Sequence, residues 1–135
     1  MARPLVLLAD DYVDACEMYS EGLRFLGFRV VTAFDGRAAV DAARRHKPDI
    51  VLLDIRMPGL TGVEALGVLK TDPAFTNVPI VALTAHALPD ERESALRAGF
   101  DAFIAKPILP DQLADRLAAI LGIDRPEPGT PDSAR

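Results

Sequence analysis

Ile50-Val51-Leu52-Leu53-Asp54-Ile55-Arg56-Met57-Pro58-Gly59-Leu60-Thr61-Gly62 is the stretch on which the fold turns. Four aliphatic residues in succession, closed by turn-forming residues, read as a strand buried on both faces, as in a parallel sheet covered by helices. The run stops on a carboxylate, Asp54, and Pro58-Gly59 then forces a turn. Open parallel sheets bind their ligands outside the carboxyl ends of the strands, and Asp54 falls there. Taken alone, an acid in this place could equally start the turn or cap the helix that follows.

Outward from this segment the pattern recurs. Leu5-Val6-Leu7-Leu8-Ala9 is another buried-strand run and ends on Asp10-Asp11. Val13, Cys16, Tyr19, Leu23 and Leu26 then take helical spacing, with Gly27 at the end. Cys16 lies on that apolar stripe and reads as a small core residue. Arg29–Ala33 is a strand rich in β-branched residues. Asp35 caps a helix through Ala38, Ala39, Val40 and Ala43 that closes on basic Arg44-Arg45-His46-Lys47, a solvated helix end, before Pro48.

Downstream, Val63, Leu66 and Leu69 mark a third helix, broken at Asp72-Pro73. Pro79-Ile80-Val81-Ala82-Leu83 forms a fourth strand leading to Thr84-Ala85-His86. Pro89 opens a fourth helix over residues 90–98, with Gly99 at its end. Few of its residues are large and apolar, so it should be weakly anchored and able to shift. Residues 101–105 are a short fifth strand delivering Lys106-Pro107, and Pro110 starts a last helix striped by Leu113, Leu117, Ile120 and Leu121.

This alternation predicts an α/β fold: a doubly wound, five-stranded parallel sheet in the order 2-1-3-4-5, with right-handed crossovers. It assigns residues 1–123 to one domain and 124–135, which lack apolar content, to a disordered tail. Half of the 135 residues are apolar, as a folded chain requires, and the net charge of −5 leaves no basic stripe for nucleic acid. No apolar run reaches the roughly 20 residues that cross a bilayer, the N-terminus lacks a signal-peptide pattern, and one cysteine makes no internal disulfide. A cytoplasmic protein is expected.

The predicted topology brings Asp10, Asp11, Asp54, Thr84 and Lys106 to one sheet edge. Crowded carboxylates need a cation or a proton, and oxygen donors without His or Cys suit Mg²⁺. A hydroxyl and an ammonium facing that metal would hold phosphoryl oxygens, and a carboxylate among them, best Asp54, would be the nucleophile forming an acyl phosphate. Each residue alone has a plainer reading: Asp10 as a helix cap, Thr84 as a turn residue, Lys106 as a solvated charge.

Together they carry a resemblance. Over residues 4–122 the chain resembles the receiver domain of two-component response regulators, which has the flavodoxin-like fold: Asp10-Asp11, Asp54 with Met57-Pro58-Gly59 and Gly62, Thr84-Ala85, Ala98-Gly99 and Lys106-Pro107 stand in that family's order. The resemblance implies phosphoryl transfer to Asp54 from the phosphohistidine of a sensor histidine kinase or a histidine phosphotransfer protein. It implies Mg²⁺ held by Asp11, Asp54 and the backbone carbonyl of Arg56, with Asp10 acting through water, and a cis bond before Pro107. It also implies a switch in which Thr84 moves toward the phosphoryl group while Phe103 turns inward; many relatives carry Tyr at the Phe103 position. Arg56 and His86 occupy positions that tune phosphoryl lifetime in the family.

The expected function is that of a single-domain response regulator, signalling to a downstream protein through residues 89–121, and a phosphorelay intermediate or phosphate sink fits the same residues. A Mg²⁺-dependent phosphohydrolase commonly needs a second acid two residues after the nucleophile, where Arg56 stands, so turnover on an external substrate is not expected. A flavin or nucleotide module would need a Gly-rich or Ser/Thr-rich loop where Asp10-Asp11 stands. An unphosphorylated adaptor is the remaining alternative. Both a monomer and a weak dimer agree with the apolar pattern.

Overall fold

The aliphatic runs become the five strands of one parallel sheet in this computed structural model, which describes residues 3–128. In chain order the elements are β1 (Leu5–Ala9), α1 (Val13–Phe25), β2 (Arg29–Ala33), α2 (Gly36–His46), β3 (Ile50–Leu53), α3 (Gly62–Lys70), β4 (Ile80–Thr84), α4 (Pro89–Ala98), β5 (Ala102–Ala105) and α5 (Pro110–Leu121). The sheet order is β2-β1-β3-β4-β5, as the alternation predicts. Val6 pairs with Ile50, Val51 with Ile80, and Val81 with Ala102, so the strand ends align along one edge.

Side chains alternate across the sheet and build two cores. Leu7, Val51, Leu53, Ile80, Ala82 and Phe103 face α2, α3 and α4, whereas Val6, Leu8, Ile50, Leu52, Val81, Leu83 and Ile104 face α1 and α5. β3 is buried along its whole length, and each such aliphatic contributes roughly 1.5–3 kcal/mol. α4 buries only Ala95, which leaves it the least anchored of the five helices.

Cys16 is fully buried, its Sγ donating to the Leu8 carbonyl at 3.8 Å. Burial pushes the thiol up to about 11 from 9.0, and the Asp10 carboxylate adds to the shift. The unfolded chain therefore sheds this proton from about pH 9, while the folded chain keeps it to about pH 11. Stability from this group is present at neutral pH and is lost as pH rises through that window. Between pH 8 and 10 the wild type should lose on the order of 1 kcal/mol more than Cys16→Ala, read from urea midpoints. Equal losses would show that the thiol is not held neutral.

Two details depart from the sequence reading. Val63, placed on the buried stripe of α3, is exposed; that helix buries Gly62, Ala65, Leu66 and Leu69 instead. A single 3₁₀ turn, Pro73–Phe75, follows α3 and plugs Phe75 into the core. Residues 124–128, the described part of the expected disordered tail, have no helix or strand. Arg125 reaches Asp111 and Asp115 on α5, and Arg3 donates to the Glu127 and Gly27 carbonyls at 2.7 and 3.0 Å, so charge does there what apolar content does not. The rest of that tail, 129–135, lies outside the described residues.

Candidate functional site

The sheet itself aims the functional side chains. Just past the strand ends, the Asp10 N–H donates to the Ala33 carbonyl, Asp54 N–H to Ala9 and Lys106 N–H to Thr84, at 3.0, 2.9 and 2.9 Å. These bonds prolong the ladders by one residue and fix where the acids and the lysine leave the sheet. Gly62, the first residue of α3, lets that helix press on the loop: a Cβ there would stand 2.1 Å from the Asp54 carbonyl oxygen.

Asp54 is 7 % exposed and its two oxygens have different partners. Oδ1 accepts the Thr84 hydroxyl at 2.9 Å and the Arg56 N–H at 3.3 Å. Oδ2 lies 3.3 Å from the Lys106 ammonium, which also donates to Asp10 Oδ2. Asp10 is buried and takes the Tyr12 N–H on its other oxygen at 2.9 Å; Asp11 is exposed at the rim. Burial works against the Lys106 charge, but the hydrogen bond and charge of Asp10, with those of Asp54, outweigh it and hold the ammonium above its ordinary 10.5.

Carboxylate oxygens of Asp10, Asp11 and Asp54 all lie within 4.8 Å of one another. Three carboxylates against one ammonium leave a formal charge of about −2 at this edge, which a divalent cation would cancel. The donors are all hard oxygens, with no imidazole or thiolate among them, so the residues fit Mg²⁺.

The remaining candidates surround this centre. Phe103 is buried, with the Arg92 guanidinium 5.6 Å from its ring centroid. Arg56 and His86 extend to Glu91 on α4, at 3.1 and 4.0 Å, a carboxylate that sequence reasoning did not single out. The Lys106–Pro107 bond is cis.

Residues 6–118 match the family model described as response regulator receiver domain. The chain belongs to that family. The receiver domain is 37 % identical over 116 residues to a probable transcriptional regulatory protein, TcrX, of Mycobacterium tuberculosis, covering 86 % of this chain and 49 % of that one. It is 29 % identical to the polar-differentiation response regulator DivK of Brucella anthropi, covering 87 % and 95 %. The chain thus spans about half the length of TcrX and nearly all of DivK. Among solved structures, the receiver domain of a Pseudomonas aeruginosa sensor histidine kinase superposes with a TM-score of 0.82 at 36 % identity, covering 90 % of this chain and 99 % of the other. That structure has a magnesium ion coordinated in its active site cleft. Among the described residues of this receiver domain, no helix is long and apolar enough to cross a membrane.

Proposed function

We propose that this receiver domain accepts a phosphoryl group on Asp54 from a phosphohistidine of a sensor histidine kinase or a histidine phosphotransfer protein. The observation that carries the reading is the division of the Asp54 carboxylate between a buried hydroxyl and an ammonium, with two further acids beside it. Asp11, Asp54 and the Arg56 carbonyl would hold Mg²⁺, with Asp10 acting through water. When bound, the ion supplies positive charge to offset that of the carboxylates and the incoming phosphoryl oxygens.

An Asp54 oxygen attacks phosphorus, an O–P bond forms, the P–N bond of the phosphohistidine breaks, and the imidazole nitrogen retains the electron pair until it is protonated. Lys106 supplies a fixed charge for one phosphoryl oxygen and Thr84 a hydroxyl for another. Those two contacts, now made to the carboxylate, then move outward to the phosphoryl group. Thr84 draws its loop along, and buried Phe103 and weakly anchored α4 carry the change to the α4–β5–α5 face, within residues 89–121, where a protein target docks.

Intact-protein mass spectrometry after incubation with acetyl phosphate and Mg²⁺ tests the reading. One phosphoryl adduct is expected on the wild type, none on Asp54→Asn, and none when the cation is chelated. An adduct of equal yield on Asp54→Asn would overturn it.

A further inference from the structure

Lys106 stands at the head of a short loop, residues 106–109, between β5 and α5. The backbone N–H groups of that loop are all accounted for. Lys106 N–H donates to the Thr84 carbonyl at 2.9 Å, and Pro107 has no N–H to give. Leu109 N–H donates to Gln112 Oε1 at 3.3 Å and belongs to the cap of α5. The remaining group, Ile108 N–H, donates to the Tyr19 hydroxyl oxygen at 3.3 Å. Tyr19 lies on the buried stripe of α1, 2 % exposed, in the core shared by Cys16, Leu23 and Leu113. An aliphatic side chain would serve that stripe as well; what the hydroxyl adds is the bond to Ile108. Nearly one turn further along α1, Gly22 seats Pro110, since a Cβ there would stand 2.6 Å from the proline Cβ. The other end of α1 begins beside Asp10, whose carboxylate accepts the Tyr12 N–H at 2.9 Å. One helix is thus bonded both to the acid that Lys106 meets and to the loop that carries Lys106.

We infer that Tyr19 is a positioning residue for Lys106: its hydroxyl holds the loop at Ile108, keeps the ammonium aimed at Asp54, and so speeds phosphoryl uptake. The inference rests on the proposed acceptance at Asp54. A lysine side chain is long and flexible, and its charge helps a phosphoryl oxygen only if it is in place beforehand. The ladder bond of Lys106 fixes the chain on the sheet side. Past Pro107 nothing regular holds it until α5 begins at Pro110, and there the Tyr19 hydroxyl supplies the tie. Without that tie the loop can rock about Lys106, and the 3.3 Å approach of the ammonium to Asp54 Oδ2 is no longer fixed. The Tyr19 hydroxyl bonds the loop and not the reacting groups, so it acts through Lys106.

Tyr19→Phe removes the hydroxyl and keeps the ring in the core. Initial rates of adduct formation with acetyl phosphate and Mg²⁺ are followed by intact-protein mass spectrometry for the wild type, Tyr19→Phe, Lys106→Met and the double variant. Tyr19→Phe should take up the phosphoryl group about two- to tenfold more slowly than the wild type, the factor that one hydrogen bond is worth. The double variant should be no slower than Lys106→Met, because a loop that no longer carries the ammonium has nothing to aim. A packing defect would slow both backgrounds alike. Amide exchange followed by NMR reads the tie itself: the Ile108 N–H should exchange at least about fivefold faster in Tyr19→Phe. Wild-type uptake by Tyr19→Phe, an unchanged Ile108 exchange rate, or a further slowing of the double variant by the factor seen in the single one would overturn the role of Tyr19 and leave acceptance at Asp54 standing. A wild type that takes up no phosphoryl group would overturn the acceptor reading and the role of Tyr19 with it.

Discussion

Lys106→Met should slow phosphoryl uptake by about 100-fold or more, the loss typical when a preorganised charge facing a developing anion is removed. Lys106 is held by Asp10 and Asp54, with its side chain 13 % exposed, so its charge is already in place when the donor arrives. Methionine matches much of the stem's bulk but has neither charge nor donor. Two consequences separate this from a packing defect. Uptake should fall far more than stability does, and raising the Mg²⁺ concentration should restore only part of the rate, because a bound cation would not replace the donor lost with the ammonium. The time course of adduct formation, followed by mass spectrometry beside a urea titration, reads both. An uptake rate within a few-fold of the wild type would remove Lys106 from the chemistry.

Gly62→Ala is the second large effect. The added methyl would meet the Asp54 carbonyl oxygen at 2.1 Å and its carbonyl carbon at 2.9 Å, with the Ile55 Cα at 2.8 Å. All three are backbone atoms, so no rotamer change relieves the overlap. Either α3 moves away or the loop carrying Asp54 does. The Gly62 N–H bond to the Ile55 carbonyl, 2.9 Å, is strained by either movement. The expected cost is about 3 kcal/mol or more, at the upper end for an overpacked site. Urea denaturation measures it, and phosphoryl uptake should fall with it because the Asp54 carboxylate loses its aim. A methyl added at Gly67, on the same helix, would meet nothing within 4 Å, so Gly67→Ala should leave both quantities near the wild type. Equal stabilities for the two variants would contradict the close approach at Gly62.

What the sequence made legible follows from how each signal is encoded. The strands of the sheet centre, β1, β3 and β4, announce themselves because burial on both faces demands unbroken aliphatic runs, and the acids and Thr84 stand out by ending or following them, as Lys106 does after β5. Val63 misled because spacing at 63, 66 and 69 mimics a helical stripe, whereas half of the true buried face of α3 consists of Gly62 and Ala65, too small to register as hydrophobic. Phe75 gave no periodic signal because its 3₁₀ turn is a single turn long. The contacts of residues 124–128 run from arginines to carboxylates and backbone carbonyls, which apolar content does not report.

The site divides in the same way. Asp10, Asp11, Asp54, Thr84 and Lys106 could be gathered from topology alone, since parallel strands in a known order place their ends together. Glu91 could not, because its meeting with Arg56 spans 35 residues and depends on how two loops lean toward the first turn of α4. Arg92 over Phe103 belongs to the same class of contact, set by where a loosely anchored helix rests.

The most direct test is to locate the acyl phosphate. The wild type is phosphorylated with acetyl phosphate and Mg²⁺, treated with borohydride, which reduces an aspartyl phosphate to homoserine, and digested for peptide mass spectrometry. Homoserine at position 54 and at no other acid is the expected result. Homoserine at Asp10 or Asp11, or a phosphoryl adduct that leaves Asp54 unreduced, would contradict the assignment of Asp54 as the acceptor.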